Sequence, residues 1–172
     1  LTDISELVVK EQADVGIVVD PDVDRLALVC EDGSMFGEEY TLVACADYVL
    51  GKLGGGNTVS NLSSSRALRD VTEKHGGTYT ASAVGEVNVV IKMKETNTVI
   101  GGEGNGGIIY PASHYGRDSL VGVALFLSHM ATTKISCKAL RESYPSYFMS
   151  KNKIQLTPQI DVDNILEIMA TK

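Results

Sequence analysis

The stretch Asp14–Arg25 reads DVGIVVDPDVDR and joins a short apolar run to three closely spaced aspartates. β-Branched residues dominate the run, which predicts a strand buried on both faces, and Pro21 ends it because proline lacks a backbone donor. Asp20, Asp22 and Asp24 follow the carboxyl end of that strand, where open α/β sheets place ligands. Such crowded carboxylates repel each other unless a cation lies between them, and their hard oxygens suit Mg²⁺ or Ca²⁺. We therefore interpret the stretch as a divalent-metal loop.

Other interpretations of these three aspartates remain open at this point. An EF-hand calcium loop would add Glu31, but its glycine position is Arg25 here, and strand-like sequence flanks the loop where an EF-hand needs helices. An aspartyl-nucleophile phosphatase has a strand-end D-x-D motif similar to Asp20 and Asp22, with Asp20 attacking phosphate. An acidic surface turn without chemistry is the third option, since Asp and Pro are ordinary turn residues. The arginine beside the three carboxylates favours a chemical role.

Two motifs in sequence order resemble those of a known family. Residues 19–27 read VDPDVDRLA, which is similar to the metal loop D-G-D-x-D-R of the α-D-phosphohexomutases, the superfamily of phosphoglucomutase, phosphomannomutase and phosphoglucosamine mutase. Gly101–Gly107, GGEGNGG, resembles the sugar-recognition loop G-E-x-S/N-G of that superfamily and lies downstream, as expected. The resemblance covers the chain from about residue 14 to residue 133.

The resemblance implies a metal site in the first motif. Asp20, Asp22 and Asp24 would hold Mg²⁺ beside a phosphoryl group in transfer. Arg25 would be catalytic, offering a planar donor fork to phosphate oxygens, or it would form a structural salt bridge to one of the aspartates. Both roles for Arg25 remain open.

The second motif implies a sugar site. Glu103 and Asn105 would hydrogen-bond sugar hydroxyls, because a carboxylate accepts protons and an amide both donates and accepts. Gly85 lies in a Val-Gly turn like the one that approaches the substrate in the family. Many members carry a histidine at the position of Gly107, where it is thought to act in proton transfer, and His114 is a candidate substitute.

Further family motifs help to place the chain within a longer enzyme. The stretch PASHY at Pro111–Tyr115 has a superficial likeness to the phosphoserine loop T-A-S-H-N-P, but that loop lies upstream of the metal loop in the family, so Ser113 is not expected to carry phosphate. The family's phosphate-gripping loop R-x-S-G-T-E has no counterpart here. The resemblance implies that residues 1–37 are the C-terminal part of domain II, 38–150 are domain III, and 151–172 are a linker and the start of domain IV.

Composition limits the class of protein. The 172 residues are 44% hydrophobic, which is enough for a real core. The 22 acidic and 15 basic residues give a formal charge of −7, which argues against a nucleic-acid partner. Cys30, Cys45 and Cys137 are widely spaced, and we expect reduced thiols in a cytoplasmic protein. The sequence lacks the long apolar run of a membrane span and the pattern of a secretion signal.

The alternation of helical and strand patterns predicts an α/β fold with a mainly parallel, mixed sheet and flanking helices, preceded by a partial α/β domain. Helices are expected at 1–12, 38–53, 63–75, 84–94, 120–130, 139–143 and 161–170. Strands are expected at 15–19, 26–30, 58–62, 78–81 and 98–101, with a looser candidate for the sheet edge at 147–156. Ser63 or Ser64 is the expected N-cap of the third helix, and Asp118 that of the helix beginning at residue 120.

These observations together imply a fragment of a Mg²⁺-dependent phosphohexomutase. The full enzyme would move a phosphoryl group between O1 and O6 of a hexose or hexosamine phosphate through a phosphoserine and a bisphosphate intermediate. Its partners would be the sugar phosphate and the flanking domains of the same enzyme, and the fragment alone is expected to be inactive. The alternatives are an aspartyl-nucleophile phosphatase and a non-catalytic domain that binds a metal or a sugar phosphate.

Overall fold

The computed structural model describes residues 2–150, 152, 155–157 and 160–170. In chain order, the elements of this part are α1 (Thr2–Lys10), β1 (Val15–Val19), β2 (Leu26–Cys30), α2 (Glu38–Leu53), β3 (Asn57–Asn61), α3 (Ala67–Lys74), β4 (Tyr79–Ser82), α4 (Glu86–Glu95), β5 (Thr98–Glu103), β6 (Gly107–Ile109), α5 (Ser119–Thr133), α6 (Cys137–Glu142) and α7 (Val162–Ala170). The alternation confirms the predicted α/β fold. No helix in the described ranges is both long enough and apolar enough to cross a membrane.

The main sheet has four strands in the order β4-β3-β5-β6. Strand β3 pairs in parallel with both β4 and β5, whereas β6 pairs antiparallel to β5. Strand β6 was not predicted, because the glycine-rich segment that leads into it was interpreted as a loop. The motif Gly101–Gly107 is instead a hairpin: its first three residues end β5, its last residue opens β6, and only Gly104–Gly106 form the turn. Glycine has no side chain to pack, so it gives little strand signal in a sequence.

Helices cover both faces of this sheet. On one face, α4 places Val89 and Met93 against Val59 of β3 and Ile109 of β6. On the other face, a larger core joins α2, α3 and α5 to the sheet and also takes in the apolar side chains of β2. The mixed, mainly parallel sheet with flanking helices is the predicted architecture.

A second, two-stranded sheet carries the aspartates at its turn. Strands β1 and β2 pair antiparallel, from Val15 opposite Cys30 to Val19 opposite Leu26. The prediction that the first strand is buried on both faces was wrong: Ile17 and Val19 are each 39% exposed. The physical reason is that β1 has one strand neighbour in the described chain and packs on one face only, where Gly16 lies against α1.

The two-stranded sheet is firmly attached to the main body. Leu26 and Leu28 are buried in the large core, and the Phe36 ring packs edge-on against Phe126 of α5 with centroids 5.0 Å apart. The Leu26 N–H donates to the Gly106 carbonyl at 3.0 Å, which joins β2 to the tip of the hairpin. The position of the aspartates relative to the hairpin is therefore fixed by backbone contact as well as by packing.

Helix ends show where local sequence signals were sufficient. Helix α2 has the predicted bounds, and Gly54 ends it in the left-handed conformation at φ 72°. Asp118 caps α5 as predicted, because its Oδ1 accepts the N–H groups of Leu120 at 2.8 Å and Val121 at 3.0 Å.

The predicted serine cap of the third helix was wrong. Helix α3 begins at Ala67, and its N-cap residue is Arg66. The Arg66 side chain accepts no hydrogen bond from a helix N–H. Ser63 and Ser64 instead bind the Asn61 side chain, whose Oδ1 accepts the Ser63 N–H at 3.1 Å and the Ser64 hydroxyl at 3.0 Å. The two serines therefore shape the turn after β3 and fix Asn61.

The predicted edge strand at 147–156 was also wrong. None of the described residues in this range forms a strand. Tyr147 binds helices instead: its N–H donates to the Tyr40 hydroxyl at 3.0 Å, and its own hydroxyl donates to Asp70 at 2.6 Å. These side-chain partners hold the segment against α2 and α3 and away from the sheet edge.

Candidate active site

Residues 20–25, which we call the aspartate loop, form a tight turn between β1 and β2. Asp20 organises this turn, because its Oδ1 accepts the N–H groups of Asp24 and Arg25, each at 3.1 Å. Its Oδ2 receives the Arg25 Nε at 2.6 Å. Partial burial raises the pKa of Asp20, but these hydrogen bonds outweigh that effect and lower its pKa to about 2. Arg25 thus lies in a salt bridge to Asp20 in this arrangement.

Asp24 is the aspartate that points toward the main sheet. Its Oδ2 contacts the Nη2 of Arg117, and its Oδ1 is buried without a hydrogen-bond partner among the described residues. Burial raises the pKa of Asp24, the charge of Arg117 opposes this, and the neighbouring Asp20 raises it further. Asp22, by contrast, is exposed at the tip of the loop.

The hairpin holds Glu103 by one hydrogen bond to each of its carboxylate oxygens. The side chain is 6% exposed, its Oε1 accepts from Asn61 Nδ2 at 2.7 Å, and its Oε2 accepts from Arg117 Nη1 at 2.8 Å. Asn105 shapes the turn, since its Oδ1 accepts the Gly107 N–H at 3.1 Å. Glu103 is therefore held at both oxygens, while further lone pairs of the carboxylate are free to accept from a ligand.

Two neighbouring cavities join the aspartate loop to the hairpin. The first, of about 240 Å³, is lined by Asp20 and Arg25 on one side and Asn105 on the other. The second, of about 270 Å³, is lined by Glu103 and Asn105. Asn105 borders both cavities, so the predicted metal loop, through Asp20 and Arg25, and the predicted sugar loop line two adjoining cavities.

Several residues that line these cavities were not predicted from the sequence to belong to the site. Glu38 lines both cavities, and Asn61 and Ser63 line the second. Arg117 was not predicted as a site residue, although it contacts Asp24, Glu103 and, at 3.3 Å, Glu86. Its one sequence signal was its place immediately before the N-cap Asp118, at the start of a helix.

The remaining predicted residues lie around the same region. Gly85 is the N-cap of α4 at φ 112°, and the following Glu86 accepts the Arg117 N–H at 3.2 Å, so the Val-Gly turn reaches the site through Glu86. His114 is exposed and pairs with Asp118 at 2.9 Å. Ser113 is exposed and lines neither cavity.

The space at Gly107 is occupied by Arg117. A Cβ at Gly107 would lie 2.5 Å from Arg117 Cδ, so the arginine stem fills the position that a side chain at residue 107 would take. His114 instead pairs with Asp118 at 2.9 Å and accepts the Gly116 N–H at 3.0 Å. The predicted substitution of a family histidine by His114 therefore has no support from the geometry.

The chemistry of the aspartate loop fits a divalent cation. Among residues with a described placement, no three His, Cys, Asp or Glu side chains already converge on a common metal position. The reason is that Asp20 forms an ion pair with Arg25, and Asp24 forms one with Arg117. The buried Asp24 Oδ1 accepts no hydrogen bond from the described residues, however, and Arg25 Nε lies 3.6 Å away from it; a buried carboxylate oxygen in this state is a ligand suited to a hard cation. The strands on both sides of the loop exclude an EF-hand.

The chain is similar to known proteins in both its sequence and its fold. Residues 37–147 match the family model for phosphoglucomutase/phosphomannomutase, alpha/beta/alpha domain III. A curated phosphoglucomutase/phosphomannomutase from Thermococcus kodakarensis is 32% identical over 148 residues, which cover 86% of this chain and 32% of that protein. The chain thus spans about a third of the length of this relative.

Solved structures give the same result for the fold. A phosphoglucomutase/phosphomannomutase family protein from Burkholderia thailandensis superposes with a TM-score of 0.74 at 25% identity, over 85% of this chain and 32% of that one. The N-acetylphosphoglucosamine mutase of Aspergillus fumigatus, solved with GlcNAc-6P and magnesium, superposes with a TM-score of 0.59 at 14% identity, over 75% of this chain and 35% of that one. With a family model matched over residues 37–147 and both motifs facing one cavity region, the chain belongs to the α-D-phosphohexomutase superfamily.

Proposed function

We propose that this chain supplies the metal loop and the sugar-binding hairpin of a phosphohexomutase. The enzyme would move a phosphoryl group between O1 and O6 of a hexose or hexosamine phosphate, through a phosphoserine and a bisphosphate intermediate. In this proposal residues 1–37 belong to domain II, 38–150 form domain III, and 151–172 lead into domain IV. The observation that carries the proposal is that Asn105 borders both the cavity of the aspartate loop and that of Glu103.

Each side chain has a chemical task in this proposal. Asp20, Asp22 and Asp24 would hold Mg²⁺, which withdraws charge from the phosphoryl oxygens when it is bound. Arg25 orients Asp20 and lies at the cavity wall, where its remaining guanidinium donors can meet a phosphate oxygen.

The hairpin side chains would orient the sugar. Glu103 accepts from sugar hydroxyls through its free lone pairs, and Asn105 donates and accepts from the border of the two cavities. Gly85 begins α4 beside the second cavity, which its neighbour Val84 lines. Binding of the sugar by fixed polar groups supplies the positioning on which phosphoryl transfer depends.

The phosphatase alternative is less well supported by the geometry. A nucleophilic Asp20 would need a free oxygen, yet both of its carboxylate oxygens are engaged by Arg25 and by backbone N–H groups. Release of phosphate from p-nitrophenyl phosphate by this chain alone, lost on Asp20→Asn substitution, would favour the phosphatase and contradict the mutase.

The proposed activity can be tested in a chimera. In this chimera, the chain replaces the segment that it matches in the Thermococcus kodakarensis relative, so that the rest of that enzyme supplies the other parts of the site. We expect conversion of glucose 1-phosphate or mannose 1-phosphate to the 6-phosphate in a coupled assay. The control is the same chimera with asparagine at all three aspartates of the loop. A folded chimera that is inactive on every hexose and hexosamine phosphate would rule out the proposed function.

The metal role predicts a selective loss of Mg²⁺ affinity. Asp24→Asn is expected to weaken Mg²⁺ binding to the chimera by about tenfold or more, because it removes a charged ligand from the site. Isothermal titration calorimetry measures this directly, without use of the activity. The matched control is Asp32→Asn, which removes the same charge from an exposed turn where Asp32 pairs with Lys138 at 2.7 Å. Equal Mg²⁺ affinities in the two variants would show that Asp24 is not a ligand.

A further inference from the structure

Arg117 is the residue at which three separate parts of the site meet. Its Nη2 contacts Asp24 of the aspartate loop, and its Nη1 donates to Glu103 of the hairpin at 2.8 Å. Its Nε lies 3.3 Å from Glu86, at the start of α4. The side chain is only 21% exposed, and three carboxylates from distant parts of the sequence therefore share one partly buried guanidinium.

The planar shape of the guanidinium matters for this arrangement. Each of its terminal nitrogens holds a different carboxylate, so the directions of Asp24 and Glu103 are set relative to each other. Asn61 holds the second oxygen of Glu103, which prevents rotation of the carboxylate. A lysine would keep the charge at residue 117 but could not reproduce this fork.

Gly107 provides the room for the arginine stem. A Cβ at this glycine would lie 2.5 Å from Arg117 Cδ and 3.2 Å from Arg117 Cγ, and its other near neighbour is Asn105 Oδ1 at 3.2 Å. The backbone of Gly107 does not adopt the left-handed conformation. An alanine is therefore compatible with the backbone here, and its main effect is to push Arg117 out of place.

We propose that Arg117 is a positioning residue that couples the aspartate loop to the sugar-binding hairpin, and that Gly107 serves the site by leaving space for it. This inference rests on the proposed function, since it assigns how two parts of that site are held in register. Arg117 acts through Asp24 and Glu103, and their alignment decides how the phosphoryl group and the sugar meet.

The coupling can be tested with a double-mutant cycle in the chimera. Arg117→Ala and Gly107→Ala are each expected to lower kcat/KM by about 100-fold, because a displacement of about 1 Å in a site has an effect of this size. The double variant is expected to be no worse than Arg117→Ala alone, since alanine at residue 107 then meets no arginine stem that it could displace. Arg117→Lys is expected to lie between wild type and Arg117→Ala. The control, Arg69→Ala, removes the same charge from an exposed arginine whose guanidinium lies 5.4 Å from the centre of the Tyr79 ring.

The possible results separate the two proposals. An inactive wild-type chimera rules out the proposed function. An active chimera in which the effects of the two substitutions multiply, or in which Arg117→Ala has no effect, rules out the coupling. Denaturant unfolding of the 172-residue chain gives a second reading that needs no activity. Gly107→Ala should lower the unfolding midpoint in the wild-type chain and leave it nearly unchanged beside Arg117→Ala, which removes the stem atoms that the new Cβ would meet. Equal shifts in both backgrounds would overturn the assigned role of Gly107.

Discussion

Substitution of Glu103 by alanine is expected to lower the free energy of unfolding by about 3–5 kcal/mol, the usual cost of removing one partner of a buried ion pair. The carboxylate is 6% exposed and accepts from both Arg117 and Asn61, so its loss leaves two partly buried donors without this acceptor. In the chimera, kcat/KM should also fall by about 100-fold or more, because the sugar loses a fixed acceptor. Chemical denaturation and the coupled mutase assay measure the two effects separately.

A matched control for this result lies on the surface of the same domain. Glu95 pairs with Lys92 at 2.6 Å, but both side chains are exposed, and such pairs contribute about 0–1 kcal/mol. Glu95→Ala should therefore leave activity unchanged and stability nearly so. If Glu103→Ala lowered the free energy of unfolding no more than Glu95→Ala does, the buried network around Glu103 would not stabilise the site.

The second large effect is expected at Phe36, which anchors the two-stranded sheet. Its ring is fully buried and packs edge-on against Phe126 at 5.0 Å, so Phe36→Ala removes both buried area and an aromatic pair. Loss of a buried phenylalanine side chain costs about 3–5 kcal/mol in the free energy of unfolding. Because Phe36 follows β2, the same cavity would loosen the aspartate loop at its base, and mutase activity in the chimera should fall as well.

Phe148 provides the comparison for Phe36. It is fully exposed, so Phe148→Ala should change the free energy of unfolding by no more than about 0.5 kcal/mol. Thermal and denaturant unfolding of the two variants measure this difference in the free energy of unfolding. Similar stabilities for Phe36→Ala and Phe148→Ala would contradict the view that β2 is anchored through this ring pair.

Much of the fold follows from signals that lie close together in the sequence. The bounds of α2 were predicted because its apolar residues recur at helical spacing and Gly54 ends the pattern. The cap of α5 by Asp118 was predicted for a similar reason, since an N-cap acts on N–H groups two and three residues away. Local rules are reliable where both partners of an interaction lie within one turn of helix.

Features that depend on distant partners were not predicted. The exposure of Ile17 depends on which elements pack on β1, and the pairing of β6 depends on where β5 ends. Arg117 acquires its importance from Asp24 and Glu103, which no spacing rule connects to it. The sequence motifs predicted two loops of the candidate site. Only the three-dimensional structure shows that Arg117 contacts both of them.

The backbone bond between Leu26 and Gly106 has a consequence for the evolution of this site. Surface loops usually tolerate insertions and deletions, because added length costs little entropy. Here the Leu26 N–H donates to the Gly106 carbonyl at 3.0 Å, and a Cβ at Gly106 would collide with the Leu26 carbonyl, so an extra residue beside either partner would break this contact. We expect length variation among homologous sequences to fall elsewhere, for example in the turn at residues 31–34, and to spare the backbone on both sides of this bond.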